Sequence, residues 1–173
     1  IYIITMNTNK TDKQEIYNSE LDFDKSKLLK EQKKSNILEY QVKLKVLEER
    51  DDVCLIDPDV ILKQKLPEIG EGVMFDTYEI GNWNKEYKSQ LEQLNELGID
   101  GCFPFWKSEQ RPVINCGILY INSKKLKDSF VKNWNIYRKL LLNNTTSESI
   151  DIDAAAMIGE EYLLTLLSEE LGV

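Results

Sequence analysis

The sequence feature that most constrains the fold is a short apolar run that ends in two aspartates. Residues 53–61 read Val-Cys-Leu-Ile-Asp-Pro-Asp-Val-Ile. A continuous apolar run of this length is typical of a strand that is buried on both faces, as in a parallel sheet covered by helices. Pro58 lacks a backbone N–H, so regular strand pairing should end there. The run therefore predicts a central, buried strand over residues 53–56.

The two aspartates at the end of this run are candidate metal ligands. Asp57 and Asp59 are two residues apart, so in extended backbone both carboxylates leave the same side of the chain. Open α/β sheets bind ligands at the carboxyl ends of their strands. Two hard oxygen ligands there suit Mn²⁺ or Mg²⁺, which usually also holds phosphate oxygens. The same spacing recurs at residues 22–24 and 151–153, so a solvated acidic turn is the competing interpretation.

The composition is that of an ordinary globular domain and excludes several kinds of site. The chain has 173 residues, of which 42% are hydrophobic and 30% charged, and this length predicts one domain. The net charge of −8 argues against a general nucleic-acid binder. The sequence contains no histidine, which excludes Ser-His-Asp and Cys-His nucleophiles and histidine-ligated zinc sites.

Cysteine usage and the chain ends suggest where the protein resides and what it is part of. Cys54 and Cys116 lie in apolar runs, so we expect reduced core residues in a reducing compartment, the cytoplasm. No stretch approaches the roughly 20 apolar residues of a transmembrane segment, and no signal-peptide pattern opens the chain. Ile1 is not a Met, and residues 1–6 already read as a strand. We therefore expect a fragment of a longer domain.

The rest of the chain alternates strands and helices. Apolar spacing predicts strands over residues 1–6, 72–76 and 113–122, and helices over residues 35–50 (or from Ser26), 83–97, 123–142 and from Asp153 or Gly159 onward. Ser123 is the expected N-cap of its helix, and Gly98 the expected residue after the end of another. Residues 101–112 read as a loop. Lys43 and Lys45 are expected on a solvated helix face.

Two further segments carry candidate site residues. Asn115, Cys116 and Gly117 interrupt a strand pattern, and a glycine there marks either a plain bulge or a place where a ligand approaches the backbone. Glu160 and Glu161 are expected in the first turn of the last helix. The helix dipole favours carboxylates in that turn, so a structural role explains both residues without any chemistry.

Taken in order, these segments resemble a known family. Residues 55–59 (Leu-Ile-Asp-Pro-Asp), 114–122 (Ile-Asn-Cys-Gly-Ile-Leu-Tyr-Ile-Asn) and 159–162 (Gly-Glu-Glu-Tyr) follow one another as in the nucleotide-sugar glycosyltransferases of the GT-A fold. The resemblance covers roughly residues 36–173. It implies an α/β three-layer sandwich with a mainly parallel central sheet, and a catalytic domain of which this chain is a fragment.

The resemblance also implies a function and a set of site residues. The enzyme would move a sugar from a nucleoside-diphosphate donor to a carbohydrate or other hydroxyl acceptor, with Mn²⁺ or Mg²⁺ as cofactor. Asp57 would lie near the ribose and the metal, and Asp59 would bind the metal directly. Residues 115–117 (Asn115, Cys116 and Gly117) would line the sugar pocket, and Glu160 or Glu161 would act in catalysis. The family often adds a metal ligand from a histidine-containing segment, which this chain lacks.

Two other functions stay open from the sequence. One is a non-catalytic carbohydrate or nucleotide-sugar binding module derived from such an enzyme. The other is a hydrolase or nucleotidyltransferase, which would need several more acidic ligands near Asp57 and Asp59; Asp76 is the one close in sequence. Residues 143–149 are all polar and offer no apolar anchor, so we expect a mobile loop over residues 143–150, beside the sugar pocket.

Overall fold

The computed structural model describes residues 2–5, 16–17, 35–67, 70–79, 85–109, 111–144 and 152–173. The described residues form five helices: α1 (Ser35–Glu49), α2 (Lys85–Glu96), α3 (Ile99–Cys102), α4 (Lys124–Asn143) and α5 (Ile152–Leu171). They also form seven strands: β1 (Tyr2–Thr5), β2 (Ile16–Tyr17), β3 (Val53–Ile56), β4 (Val73–Phe75), β5 (Tyr78–Glu79), β6 (Val113–Ile114) and β7 (Ile118–Ile121).

The main sheet is antiparallel, which overturns the predicted fold. Its strands lie in the order β2-β1-β3-β7-β4, and every neighbouring pair that the structure describes is antiparallel. A second sheet consists of β5 and β6, also antiparallel. The prediction of a GT-A-like three-layer sandwich with a mainly parallel central sheet is therefore wrong. The strand β3 does lie in the middle of the main sheet, and all four of its residues are buried.

The apolar run in β3 reflects the burial of both faces of the strand and does not indicate whether its neighbours are parallel or antiparallel. Val53 and Leu55 pack into the main core with the helices. Cys54 and Ile56 point to the opposite face, where a smaller cluster is completed by Tyr120 and by partly buried residues (Val60, Leu66, Met74 and Ile118). This second face is closed in part by the loop that follows β3. An antiparallel strand covered on both faces gives the same apolar pattern as a parallel one.

Helix α5 runs through the centre of the helical layer and contacts α1, α2, α4 and β6. Residues 158–168 are all buried. Gly159 allows the closest approach to α4, because a methyl group there would overlap the rings of Trp134 and Tyr137. The hydroxyl of Tyr137 donates to the carbonyl of Ala155 over 2.5 Å. The glycine thus brings Glu160 and Glu161 into the protein interior.

Several local predictions are confirmed. The side chain of Ser123 accepts a hydrogen bond from the Leu126 N–H (3.4 Å) at the start of α4. Gly98, just after α2, has the left-handed φ of 79° that glycine adopts at low cost. Cys54 and Cys116 are buried, free cysteines.

Other local predictions are wrong or remain outside the described residues. Helix α5 begins at Ile152, so Glu160 and Glu161 lie in its interior and not in its first turn. The predicted loop over residues 101–112 begins within the short helix α3. In the predicted mobile loop, residues 145–150 lie outside the described part of the chain. None of the described helices combines the length and apolarity that a membrane crossing requires.

Candidate functional site

A cavity of about 410 Å³ lies at the end of β3. The predicted site residues share it, although they come from three separate parts of the chain. Its lining includes Asp57, Asp59, Asn115, Cys116, Gly117, Glu160 and Glu161, together with Lys43, Val60, Asp76 and Met157. The structure thus brings the candidate metal ligands, the candidate sugar pocket and the candidate catalytic acids to a single place.

The two aspartates reach the cavity through a turn rather than an extended strand. The Asp57 N–H donates to the carbonyl of Gly117 (2.9 Å), and the Val60 N–H donates to the carbonyl of Asp57 (3.1 Å). The backbone therefore turns at Pro58, and the extended geometry predicted for the pair is wrong. Asp57 is partly buried, whereas Asp59 is exposed. Their environments differ accordingly: Asp57 faces protein groups and Asp59 faces solvent.

The segment from Asn115 to Gly117 is a link between the two sheets. The Asn115 N–H donates to the carbonyl of Thr77 beside β5 (2.9 Å). Its side-chain oxygen accepts from the Gly117 N–H (2.9 Å). A Cβ on Gly117 would lie 3.0 Å from that oxygen and 3.4 Å from a methyl group of Val60. Gly117 thus allows Asn115 and Val60 to pack closely along the cavity wall, and a larger residue would have to displace them slightly.

Cys116 is a neutral thiol at the base of the cavity. Only 3% of the residue is exposed. Burial raises its pKa well above the ordinary value, and the nearby carboxylates of Glu160 and Glu161 raise it further. A thiol in this environment is a poor nucleophile at neutral pH because the thiolate is not formed. Cys116 is therefore suited to lining the pocket and not to covalent chemistry.

The sequence argument missed Lys43, which occupies the centre of the site. The residue is 6% exposed. Its ammonium nitrogen lies 2.8 Å from Oδ1 of Asp57 and 2.9 Å from Oε1 of Glu160, with Oε2 of Glu160 at 3.3 Å. Burial alone would lower the pKa of Lys43, but the carboxylates of Glu160 and Asp57 raise it above the ordinary value. Lys43 is therefore charged and shared between two acids.

The helical spacing contained a signal for this position. Lys43 precedes Val46 and Leu47 by three and four residues, which places it on the same face of α1, and both are buried. Lys45 points elsewhere and pairs with Glu48 and Glu49 at the surface. The predicted solvated face is confirmed for Lys45 and wrong for Lys43. A lysine within the apolar stripe of a helix needs a buried partner, and here the partners are Asp57 and Glu160.

The two glutamates enter the site from the interior of α5. Glu160 and Glu161 are only 7% and 8% exposed. The hydroxyl of Thr165 donates to the carbonyl of Glu161 (2.7 Å) and accepts from the N–H of Ile114 in β6 (2.9 Å). This bond fixes α5 against the strand that leads into Asn115. The favourable dipole at a helix start therefore does not account for Glu160 and Glu161. The two carboxylates instead line the cavity.

The charge of the cavity suits a cation. Five carboxylates and one ammonium line it. No group of three or more Asp, Glu or Cys residues in the described part of the chain is arranged to hold a metal ion. The protein can thus offer Asp57 and Asp59, and a divalent cation would complete its coordination with phosphate and water oxygens. The Lys43 ammonium already rests against Oδ1 of Asp57, so this pair of aspartates offers a cation one exposed carboxylate, Asp59, and a share in a second. The residues therefore fit a weakly held cation.

No protein-family model matches this chain, and neither a curated protein nor a solved structure matches it. The resemblance to glycosyltransferases stays a prediction from the sequence motifs. The functional argument consequently rests on the chemistry of the residues that line the cavity.

Proposed function

We propose that this cavity binds a nucleoside-diphosphate sugar together with a divalent cation and transfers the sugar to a hydroxyl acceptor. One observation carries the proposal: three motif segments, residues 55–59, 114–122 and 159–162, lie far apart in the sequence and converge on one cavity of about 410 Å³. That volume lies within the range of small-molecule sites, which is roughly 300–1,000 Å³. Polar groups of differing charge surround it, as a ligand with a diphosphate and a sugar requires.

Asp57 and Asp59 would hold the cation, Mn²⁺ or Mg²⁺, in this proposal. An anionic diphosphate would otherwise be repelled, because carboxylates outnumber the single ammonium in the cavity wall. When bound, the cation supplies positive charge beside the departing nucleoside diphosphate. The exposure of Asp59 favours direct contact with a cation that arrives from solvent, while the Lys43 ion pair fixes the orientation of Asp57.

The buried side of the cavity would recognise the sugar. Glu160 and Glu161 are held there by α5, and Asn115 and Gly117 form the adjoining wall. Carboxylates that are this well buried bind hydroxyl groups strongly, since little water competes for them. Both oxygens of Glu160 lie within 3.3 Å of the Lys43 ammonium. Glu160 therefore acts through its charge and position, and Glu161, which lines the same cavity, is the second carboxylate that we propose for catalysis.

The competing phosphoryl-transfer function predicts several acidic ligands around one ion. Asp76, Glu160 and Glu161 do share the cavity with the two aspartates. Among the described residues, however, no three such groups are arranged around one ion position. This arrangement favours a cation held jointly by protein and diphosphate. A non-catalytic binding module would use the same contacts as the transferase. An assay for release of nucleoside diphosphate from a sugar nucleotide distinguishes these two functions, because only the transferase releases it.

The proposal is tested by calorimetry with Mn²⁺ and a panel of nucleoside diphosphates. We expect one of them to bind in the presence of Mn²⁺, and Asp59→Asn to weaken that binding at least about tenfold, since a charged metal ligand is lost. Asp128→Asn is the matched control, because Asp128 is exposed and pairs with Lys124, four residues earlier on the same helix. Equal binding by the wild type and Asp59→Asn would refute the assignment. If a sugar nucleotide binds but the sugar is neither transferred to an acceptor nor released by hydrolysis, the protein is a binding module.

A further inference from the structure

We propose that Lys43 is an internal counter-ion that competes with the divalent cation for Asp57, so that the cation binds tightly only together with a diphosphate. The inference rests on the proposed function and adds that the cation and the diphosphate bind to the cavity together. It assigns a role to a residue that the sequence motifs leave out. It also predicts that binding of the cation and binding of the diphosphate are strongly coupled.

The ammonium occupies a position where a cation would contact Asp57. The Lys43 nitrogen lies 2.8 Å from Oδ1 of that carboxylate, and on the other side it contacts both oxygens of Glu160 at 2.9 and 3.3 Å. The contact with Glu160 tethers the ammonium close to the cavity wall. A divalent cation at Asp57 and Asp59 would therefore share one carboxylate with a positive charge that is already present.

The lysine side chain has little room to withdraw among the apolar residues of the core. Beneath it lies a space of only about 10 Å³, lined by Leu44, Leu47, Phe130 and Trp134 in addition to Lys43 and Glu160. This volume is about that of one water-sized sphere, and its walls are mostly apolar. A charged ammonium would lose its hydrogen bonds by moving into such a space. On the cavity side, the two contacts with Glu160 hold Lys43 beside Asp57 when a cation arrives, and the two positive charges repel each other.

A diphosphate removes this repulsion. Its oxygens carry negative charge and can contact the divalent cation from the side opposite Asp57. With the diphosphate present, the cation gains charged oxygen ligands that it does not share with Lys43. Without the diphosphate, the cation has only Asp59 and the shared Asp57 as charged ligands. The ammonium thereby makes the cavity discriminate against a cation that arrives alone.

The test uses the double variant Lys43→Met/Glu160→Gln. It removes one positive and one negative charge, so the net charge of the cavity wall is unchanged, and it replaces the buried ion pair by neutral side chains of similar size. The variant Lys45→Met is the control, since it removes a lysine from the surface of the same helix. Mn²⁺ alone is titrated first, with free Mn²⁺ followed by electron paramagnetic resonance. The titration is then repeated with the diphosphate that the wild type binds, or with UDP if none binds.

We expect the double variant to bind Mn²⁺ alone about tenfold more tightly than the wild type, and the coupling between Mn²⁺ and the diphosphate to fall by the same factor. The control should match the wild type. Unchanged or weaker Mn²⁺ binding by the folded double variant would overturn the inference, because Lys43 would then merely hold Asp57 in place. In a wild type that does bind the diphosphate, Mn²⁺ affinity that is independent of the diphosphate would overturn it as well, without recourse to any variant.

The failure of the proposed function would look different. If the wild type bound no nucleoside diphosphate with Mn²⁺, the function would fail, whereas the double variant could still show tighter binding of Mn²⁺ alone. If the wild type bound both ligands and the double variant showed no gain for Mn²⁺ alone, only the role of Lys43 would fail.

Discussion

The two ends of β3 each carry an aspartate that faces a buried lysine, yet the two ion pairs have different surroundings. At the start of the strand, Lys127 of α4 contacts Asp51. At its end, Lys43 of α1 contacts Asp57. Both lysines are 6% exposed. A similar Lys–Asp ion pair thus lies at each end of β3. The role of each pair depends on the groups that surround it.

The pair at the start of β3 is an anchor for a helix end. The Asp51 side chain is 86% exposed, and Lys127 also donates to the carbonyl of Arg50 (3.2 Å) just after α1. A cation at this position satisfies a carbonyl that the helix leaves without an intrahelical partner. The pair at the end of β3 is shared with a second carboxylate, Glu160, and faces a cavity. The comparison shows that a buried lysine marks a candidate site when several acids surround it in a cavity.

The largest expected effect comes from Lys43→Met. The substitution leaves Asp57 and Glu160 without their shared cation, and an uncompensated buried charge costs about 3–5 kcal/mol of the free energy of unfolding. Urea denaturation followed by tryptophan fluorescence measures the loss. Adding Glu160→Gln should restore most of the stability, since a neutral side chain replaces the carboxylate that is most deeply buried. A loss no larger than that of Lys127→Met would mean that both ends of β3 are merely structural.

The next effect is expected from Gly159→Ala, at the crossing of α4 and α5 beside Glu160. A methyl group would overlap the rings of Trp134 and Tyr137, and overpacking of this kind costs about 1–3 kcal/mol. Helix propensity alone would favour alanine by about 1 kcal/mol, so a net loss identifies the clash. Denaturation gives the stability, and the titration of the Asp51 carboxyl by NMR is the internal control. A shift in that titration would show that the two ends of β3 are coupled.

The smallest effect is expected from Lys127→Met. Loss of its hydrogen bond to the Arg50 carbonyl costs about 1 kcal/mol. The hydrogen bond that Lys127 donates to Asp51 holds the pKa of Asp51 below 3.8. Since the folded-state pKa is depressed, the stabilisation is present above pH 3.8 and is lost as the pH falls through the folded-state value. In the variant, the pKa of Asp51 should return toward 3.8 and this acid sensitivity should disappear. An unchanged NMR titration of Asp51 would contradict the assigned pairing.

Much of the fold was predictable because local apolar spacing fixes helices and strands. Helices α1, α2 and α4 begin and end within two residues of their predicted limits. The Ser123 cap and the left-handed Gly98 follow from local chemistry alone. The residues chosen for the metal, sugar and catalytic roles also line one cavity, although their chemical roles remain predictions.

The remaining features depend on contacts that a single sequence does not contain. Strand direction in the sheet is set by long-range pairing, and the apolar run of β3 is compatible with either direction. Of the two predicted starts of α5, Asp153 lies one residue from the observed start at Ile152. The alternative, Gly159, resembles a helix boundary but is a crossing point between two helices. Lys43 was assigned to solvent because its partners, Asp57 and Glu160, are brought to it only by the tertiary fold.

The burial of α5 limits how this cavity could be altered by mutation or by engineering. Within residues 155–168, all of which the structure describes, Met157 is the one exposed position, and it lines the cavity. Any other change on this stretch of helix alters the core as well as the site. A library that seeks a new ligand preference should therefore vary Met157, Asp59 and Asp76, where selection for binding is least opposed by the requirement to fold.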